Sequence, residues 1–479
     1  MKLKSIMTSI CILMVGTALL ILTGCDGGSS SNNSNKNDDP AEPSFEQATF
    51  TNPTQIDNEY LPLNPNTVQL YQVESKDGVE ASQVETEDGV ETIVVEVLEE
   101  TRVVNGVTCV VVRDQVFVDE LLIEDTHDWY TQDDDGNVWY MGEEVINYEY
   151  DDEDNVLSTN NDGAWEAGVD GAVPGIIMKA TLVIGDSYQQ EFYEGEAEDM
   201  AKIEALGVPV ELEDGTIYND CLQTLEWDPL EPDDEEYKYY APDVGLIKEE
   251  LVDGDETAEQ KGIFLTAIDR VPDFDAAGFT NPITIDNTYL PLIPGTKLTY
   301  EAETEDGVET IITEVLNTTR VVDGVECVVF NDQVFLDGLL IEDTNDWFAQ
   351  DDEGNVWYMG EEVINYEYDD DDNLIGTDND GAWEAGVDDA LPGIVMWADP
   401  EAGVSYYQEY YEDEAEDMVM VVAAGVGVEL EGSTTYEDCL QILDWNPLDP
   451  AVLEYKYFAP GVGLVKEEVV GGDESAELI

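Results

Sequence analysis

The chain contains two copies of one long segment, and this duplication constrains its fold more than any other feature of the sequence. Asp88 to Glu259 aligns with Asp306 to Glu477 without a gap, at a constant shift of 218 positions. The segment DDDGNVWYMGEEVINYEYDD around Trp139, for example, returns as DDEGNVWYMGEEVINYEYDD around Trp357. Each copy has the length of one domain. The sequence therefore predicts two homologous domains in tandem, and a residue that differs between them is a weak candidate for a shared function.

The copies begin at similar motifs, which set the domain boundaries. FTNPTQIDNEYLPL starts at Phe50 and FTNPITIDNTYLPL at Phe279, an offset of 229, because the first copy carries eleven extra residues around Glu74 to Glu85. We expect the first domain at 46–266, a short linker at 267–278 and the second domain at 279–479.

The local patterns of each copy are those of β-strands. ETIVVEVLEETRVV and VTCVVVRDQVFV flank Asn105-Gly106, a dipeptide suited to a type I′ hairpin turn, and the second copy has Asp323-Gly324 there. DWYTQ and VWYMGE flank a turn containing Gly136 and predict a second hairpin. We also expect strands at SYQQEFYEGEAED, TIYNDCLQTLEW, EEYKYYAP and VGLIKEELV. EAEDMAKIEAL has a helical pattern, but its counterpart is rich in valine and glycine, so a strand is predicted in both copies.

The N-terminus has the pattern of an export signal. A cationic start precedes an apolar run, Ile10 to Leu22, that is too short to span a membrane as a helix. The run ends in Leu22-Thr23-Gly24-Cys25, which resembles the lipobox of bacterial lipoproteins. The resemblance implies that residues 1–24 are a signal peptide, that acyl chains on Cys25 bind the membrane, and that the protein faces the periplasm or exterior of the cell envelope. An ordinary secretory signal is the alternative. Residues 25–45 are polar and predict a flexible tether.

Charge limits the partners of the chain. It has 113 acidic and 16 basic residues, for a formal net charge of −97. Nucleic acid is therefore excluded as a natural partner, because binding to phosphates needs clustered lysine and arginine. Two explanations of the acidity stay open: adaptation to a saline environment, in which salt screens the repulsion, and the presence of cation sites.

The cysteines of the two copies coincide. Cys109 and Cys221 recur as Cys327 and Cys439. In an exported protein this pattern predicts one disulfide in each copy, and two buried free thiols per copy is the alternative. The only histidine, His127, has no counterpart in the second copy. A paired Cys/His metal site and catalysis that needs a histidine base are therefore not expected.

Two further groups of recurring residues are candidate sites. The acidic hairpin turn is a candidate for an irregular calcium site, with a solvated hairpin tip as the alternative. Its residues are Asp133, Asp135, Asp351 and Glu353. Recurring tryptophans beside carboxylates are candidates for glycan binding, because indole faces stack on sugar rings, and core packing is the alternative. These residues are Trp139, Trp165, Glu166, Trp357, Trp383 and Glu384. The recurring bases Arg102, Lys238 and Lys248 are expected to form structural ion pairs.

The closing part of each copy carries a family resemblance. GVPVELEDGTIYNDCLQTLEW followed by EYKYYAPDVGLIKEE resembles the end of many secreted bacterial proteins of unknown function, with Tyr-Tyr/Phe-Ala-Pro-x-Val-Gly-Leu as its mark. The resemblance implies successive antiparallel strands and no known reaction.

Together these patterns predict a mainly β protein with two homologous antiparallel β-sheet domains and little helix outside the signal peptide. The predicted function is a lipid-anchored, non-enzymatic binding or envelope-structural module. Its candidate partners are the membrane, cations, a polysaccharide and an envelope protein. The alternative is a carbohydrate-active enzyme that uses Glu166 or Glu191 and their counterparts, since a pair of carboxyls is the machinery of glycoside hydrolysis.

Overall fold

The structure is a computed structural model. It describes residues 44–75, 91–151, 154–213, 215–230, 235–252, 254, 256–267, 270–304, 307–369, 372–472 and 474–479. The predicted signal peptide, Cys25, nearly all of the predicted tether and most of the extra segment of the first copy lie outside the described residues. The chain divides into two compact units, and the boundary in sequence falls between Lys261 and Gly262. Among the described residues, no helix is long and apolar enough to cross a membrane.

The first copy consists almost entirely of antiparallel strands. A 3₁₀ turn at Phe45–Gln47 precedes them. The strands are β1 (Ile56–Asn58), β2 (Leu61–Leu63), β3 (Thr67–Ser75), β4 (Glu91–Val104), β5 (Val107–Val118), β6 (Leu121–Gln132), β7 (Val138–Tyr150), β8 (Val156–Asn160), β9 (Trp165–Glu166), β10 (Val173–Met178), β11 (Ser187–Gln189), β12 (Glu191–Phe192), β13 (Met200–Glu211), β14 (Ile217–Trp227), β15 (Glu235–Ala241), β16 (Gly245–Leu251) and β17 (Glu256–Leu265).

Most of these strands form one large sheet. The order is β11-β13-β14-β15-β16-β17-β3-β4-β5-β6-β7-β10-β12, with β8 and β9 paired to β7, while β1 and β2 form a separate ribbon. Most neighbours in the sheet are also neighbours in the chain, as expected for strands joined by hairpins. The sheet curls until its two ends approach each other. A contact between the ends shows this: the hydroxyl of Tyr188 in β11 donates a hydrogen bond to the carbonyl oxygen of Ile177 in β10, at 3.5 Å.

The second copy repeats the same topology. A 3₁₀ turn lies at Phe274–Ala276. The strands are β18 (Ile285–Asp286), β19 (Pro291–Leu292), β20 (Lys297–Thr304), β21 (Gly307–Val322), β22 (Val325–Leu336), β23 (Leu339–Gln350), β24 (Val356–Tyr368), β25 (Leu374–Asp378), β26 (Trp383–Glu384), β27 (Leu391–Met396), β28 (Ser405–Tyr407), β29 (Glu409–Tyr410), β30 (Met418–Glu429), β31 (Thr435–Asn446), β32 (Asp449–Ala459), β33 (Gly463–Val469) and β34 (Ser475–Leu478). β18 pairs with β19 in a ribbon, and the sheet order is β28-β30-β31-β32-β33-β34-β20-β21-β22-β23-β24-β27-β29, with β25 and β26 paired to β24. The predicted fold class is confirmed.

The first predicted hairpin has the expected turn. Asn105 and Gly106 have φ angles of 45° and 85°, and Asp323 and Gly324 have 42° and 81°. Both central residues of a type I′ turn need a positive φ, which asparagine, aspartate and glycine adopt more easily than other residues. The prediction of the turn from the dipeptide is therefore confirmed in both copies.

The predicted disulfides are wrong for this structure. All four described cysteines are free and buried. Cys109 belongs to the main core cluster of the first copy, whereas Cys221 packs in a smaller cluster with Val210 and Ile247. Cys327 and Cys439 are divided between two clusters in the same way. Each thiol fills an apolar site as a small hydrophobic side chain, so the matched spacing of the cysteines reflects two separate packing positions.

Candidate functional site

An arginine, a tryptophan and a glutamate form a stack on the second domain. The guanidinium carbon of Arg320, in β21, lies 3.6 Å from the ring centroid of Trp347, in β23. Nη2 of the same arginine donates a hydrogen bond to Oε2 of Glu384, in β26, at 2.6 Å. A guanidinium group can stack on an aromatic face and donate in its own plane at the same time. Three strands of the sheet therefore contribute one side chain each to this stack.

The first domain has the same stack. Arg102 lies 3.7 Å from the ring centroid of Trp129, and its Nη2 donates to Glu166 at 2.8 Å. Its Nη1 also contacts Glu144, at 3.3 Å. The predicted structural ion pair of this arginine is confirmed. The side chains are about one-third exposed, so the pair adds little to stability and acts mainly by fixing the orientation of the glutamate.

The recurring lysines also form structural ion pairs, as predicted. Nζ of Lys238 is 3.0 Å from carboxylate oxygens of Glu236 and Glu249, and this side chain is only 2% exposed. Nζ of Lys248 lies 2.7 Å from Glu259. These lysines are held inside the strand ladder by several carboxylates, so they are not free to bind a ligand.

A glycine allows the short strand β26 to lie against β24. Gly360 pairs with Glu384, and Glu361 pairs with Trp383. Gly360 has a φ of 122°, and a Cβ at this position would lie 2.4 Å from the carbonyl oxygen of Trp383. No other residue fits such a close approach without a shift of the backbone. Gly142 has the same conformation and the same close contact in the first copy.

The stack forms part of a pocket in the second domain with a volume of about 500 Å³. The pocket combines aromatic residues, carboxylates and one arginine. Its aromatic and charged residues are Trp347, Trp383, Tyr411, Glu361, Glu362, Glu384, Asp388 and Arg320, and the rest of the lining is Val363, Ile364, Asn379, Ala382 and Val387. Every residue that lines the pocket has an identical residue 218 positions earlier, whereas roughly a third of the aligned positions differ between the copies. The two domains therefore share the residues of one candidate site.

Carboxylates with raised pKa values lie both at the pocket and behind it. Burial and the nearby Asp346 raise the pKa of Glu361 to about 8, and Tyr358 partly opposes this shift by hydrogen bonding. Burial, Asp417 and Glu361 also raise the pKa of Glu409, which is only 5% exposed. One oxygen of Glu409 and the indole Nε1 of Trp383 have no hydrogen-bond partner of good geometry among the described residues. Trp383 thus separates the pocket from an interior that favours protonated carboxyls.

The structure divides the predicted glycan-binding residues into two groups. Trp383 and Glu384 line the pocket, and Trp165 and Glu166 are their counterparts. Trp139 and Trp357 are only 2% exposed and do not reach it. Both pack edge-on against a phenylalanine ring of the preceding 3₁₀ turn. Their core position matches the alternative interpretation of these tryptophans.

Glu191 does not reach an open site either. This carboxylate of the enzyme hypothesis is fully buried, and neither of its oxygens has a hydrogen-bond partner of good geometry among the described residues. Its counterpart Glu409 lies behind the pocket and does not line it.

The acidic hairpin turn has a structural role. Oδ1 of Asp133 accepts hydrogen bonds from the backbone N–H groups of Asp135 and Asn137, at 3.0 and 2.9 Å. Its Oδ2 accepts from the side chains of Asn137 and Trp139, at 2.9 and 2.8 Å. Four bonds use the acceptor positions that a cation would need. Asp351 makes the same four bonds in the second copy, including one with the N–H of Glu353.

In the parts of the chain that the structure describes, no group of three or more histidine, cysteine, aspartate or glutamate side chains is placed to hold a metal ion. Calcium binding stays a prediction without structural support at this turn.

Among the acidic and tyrosine residues of the pocket, sequence reasoning missed Glu361, Glu362, Asp388 and Tyr411. A signal for three of them was present, because MGEEVINYEY and NDGAWEAGVD each recur without a change. Such unchanged stretches are prominent in a chain whose copies otherwise differ at many positions.

Comparison with known proteins adds no family to this description, since no protein-family model and no curated protein matches the chain. The fold and the site define a tandem, mainly β protein whose two domains share the residues of an acidic and aromatic pocket.

Proposed function

We propose that the protein is a lipid-anchored, non-enzymatic binding protein of the bacterial cell envelope, and that its domains bind a saccharide at this pocket. The observation that carries the proposal is the pocket of the second domain, whose lining residues are all repeated in the first. Trp347 is covered by Arg320 and Trp383 is only 5% exposed, so the half-buried ring of Tyr411 is the aromatic face that can pack against the C–H groups of a sugar. A few convergent polar groups fix the orientation of the ligand.

The polar groups of the pocket suit a ligand with many hydroxyls. The carboxylates accept hydrogen bonds, and Arg320 donates them. The contact between Arg320 and Glu384 fixes both groups before a ligand arrives, which reduces the entropy lost on binding. Two copies on one chain add avidity for a repetitive polysaccharide, provided that both domains can engage it at once.

Titration calorimetry with oligosaccharides from cell walls and other polysaccharides tests this function. The full chain is purified in detergent, because a lipid anchor is part of the proposal. We expect heat of binding, and we expect weaker binding after Glu384→Gln together with Glu166→Gln. The matched control is Glu429→Gln with Glu211→Gln, which removes the same charge from exposed strand ends. Absence of heat with every oligosaccharide would overturn the binding function.

A carbohydrate-active enzyme is the second candidate, and one observation favours it. Glu361 and Glu384 are on neighbouring strands and both line the pocket. Because its pKa is raised to about 8, Glu361 is largely protonated at neutral pH and suits a general acid. Turnover of a broad glycan panel, abolished by Glu361→Gln, would support this candidate. An absence of turnover by the unchanged chain eliminates it.

A further inference from the structure

Strand β26 is weakly attached to the large sheet of the second domain. It consists of Trp383 and Glu384 alone, which pair with two residues of β24. The backbone N–H of Ala385 donates a hydrogen bond to the carbonyl oxygen of Met359 at 3.0 Å, and Glu384 accepts one from Arg320 at 2.6 Å. This ion pair is about one-third exposed and therefore adds little stability. A segment with so few backbone hydrogen bonds can open at a lower free energy than the rest of the sheet.

Burial of one indole is the main interaction that keeps β26 in place. Trp383 is 5% exposed and packs edge-on against Tyr358, with 5.3 Å between the ring centroids. On its inner side the indole N–H faces Glu409, which is also 5% exposed. One oxygen of this carboxyl has no hydrogen-bond partner of good geometry among the described residues. Trp383 thus covers a buried acidic group.

Negative charge dominates the interior behind Trp383. Glu409, Glu361 and Asp346 face one another there, and Asp417 lies against Glu409. Lys456 faces Asp417, but carboxylates of β31, β32 and β33 already bind its Nζ at 3.1 to 3.5 Å. Further titratable groups around these carboxyls are Tyr358 of β24, Asp332 of β22, Glu342 of β23, Asp444 of β31, Glu454 of β32 and Glu467 of β33.

The protonation of these carboxyls depends on whether water reaches them. An ionised carboxylate that is buried without a cation is costly, so the group stays protonated until it becomes hydrated. Burial accordingly raises the pKa of Asp417 to about 6, that of Asp346 to about 7 and that of Glu361 to about 8. The groups are therefore protonated in acid and ionise as the pH rises through this range. Because Trp383 lies between Glu409 and the pocket, its displacement would admit water to the cluster.

We propose that β26 is a pH-dependent cover, which stays closed while the carboxyls behind Trp383 are protonated and opens locally when they ionise. The first domain has the same arrangement, since β9 places Trp165 over the buried Glu191. Opening displaces Trp383 together with Glu384, so the pocket loses two of its lining residues. The movement needs no ligand, and its test is therefore independent of the saccharide-binding proposal.

Hydrogen exchange of the full chain in detergent, at pH 5.5 and pH 8.5, tests this cover. Labelling times are scaled to the intrinsic exchange rate at each pH, and the peptides are analysed by mass spectrometry. We expect peptides that contain β26 and β9 to lose about tenfold more protection at pH 8.5 than peptides from β22 and β5, which lie in the middle of each sheet. An equal loss of protection in all four segments would overturn the proposal.

A pair of substitutions separates the buried carboxyls from a general effect of alkaline pH. Glu409→Gln with Glu361→Gln imitates the protonated state, so we expect β26 to keep its protection at pH 8.5 while β9 of the same chain still opens. The control removes the same charge from exposed strand ends, by Glu429→Gln with Glu211→Gln, and should leave both segments pH-dependent. Opening of β26 to the same extent in the first pair and in the control would contradict the proposal. If the first pair does not fold, the comparison of β26 with β22 in the unchanged chain decides.

Discussion

At the scale of single residues, the alternation of side chains along a strand explains why Trp383 and its neighbour Glu384 have different roles. Successive side chains of a strand point to opposite faces, so the tryptophan packs inward while the glutamate reaches Arg320. The sequence could predict that this dipeptide matters, because it recurs. It could not predict its arginine partner, because Arg320 is 64 positions away, and β22, β23 and β24 lie between β21 and β26 in the sheet.

Tryptophans also show why residue type alone does not identify a binding surface. Trp357 and Trp383 recur equally well in the sequence, but Trp357 donates its indole N–H to Asp351 at 2.9 Å within the core. The aspartate of the turn and the tryptophan six residues later satisfy each other. A carboxylate close to a tryptophan in the sequence is therefore part of a structural hydrogen bond at Trp357 and part of a pocket at Trp383.

The buried thiols lead to a prediction at this scale. Burial raises the pKa of Cys109 and of Cys327 to about 12, so almost no thiolate is present at neutral pH, and the thiolate is the reactive form. We expect iodoacetamide to leave all four described cysteines unlabelled in the folded chain. When the chain is unfolded in guanidinium without a reductant and then treated with iodoacetamide, mass spectrometry of its peptides should find a label on each of these cysteines. Disulfide-linked peptides containing Cys109 and Cys221 would contradict the structure.

At the scale of elements, the sequence predicts strands that have a local β-branched pattern around a turn. It does not predict strand boundaries that depend on which strand pairs with which in the folded sheet. The hairpin β4–β5 follows from β-branched residues around Asn105-Gly106. The segment SYQQEFYEGEAED was expected as one strand, but it forms β11 and β12, which pair with β13 and β10 respectively. The chain changes partner at Gln190, between the two ends of the curled sheet. No local pattern marks such a change, because it depends on how the sheet closes.

Close packing of β26 against β24 gives a prediction for one glycine. We expect Gly360→Ala to lower the free energy of unfolding by about 2 to 4 kcal/mol, because the new Cβ meets the carbonyl oxygen of Trp383 and the φ of 122° is unfavourable for alanine. Urea unfolding measures the loss. The control is Gly324→Ala in a hairpin turn, where a Cβ meets nothing within 4 Å and only the positive φ is penalised. Equal losses in the two variants would show that β26 does not constrain this position.

At the scale of the whole molecule, the position of the acidic residues matters more than their number. Among 113 acidic residues the sequence could not show which are buried. In the second domain, burial raises the pKa of Asp332 to about 8, that of Asp346 to about 7 and that of Glu361 to about 8. Their charged neighbours reinforce the shifts, since Glu342 faces all three groups and Glu467 faces Asp332. A core of protonated carboxyls is thus part of this fold.

These buried groups make the protein more stable at pH 5 than at pH 8. In the unfolded chain the same carboxyls have pKa values of about 4, so between pH 4 and 8 the folded state binds more protons than the unfolded state. The free energy of unfolding must therefore fall as the pH rises through this range. A net loss of about 2 kcal/mol would lower the Tm by about 4 to 8 °C. Calorimetry at pH 5 and pH 8 measures the change, and a higher Tm at pH 8 would contradict it.

The dependence of the Tm on salt distinguishes the effect of the buried carboxyls on stability from that of the surface charge. Repulsion between exposed carboxylates is screened within about 3 Å at 1 M salt, so we expect the Tm at pH 8 to rise steeply from low to molar NaCl. The part of the pH dependence that comes from buried groups should persist in molar NaCl, because buried charges are screened much less. Asp332→Asn with Glu361→Gln should reduce this remaining slope, since each amide imitates a protonated carboxyl, whereas Glu429→Gln should leave it unchanged. If micromolar calcium raised the Tm as much as molar NaCl does, specific cation sites rather than screening would explain the acidity of the chain.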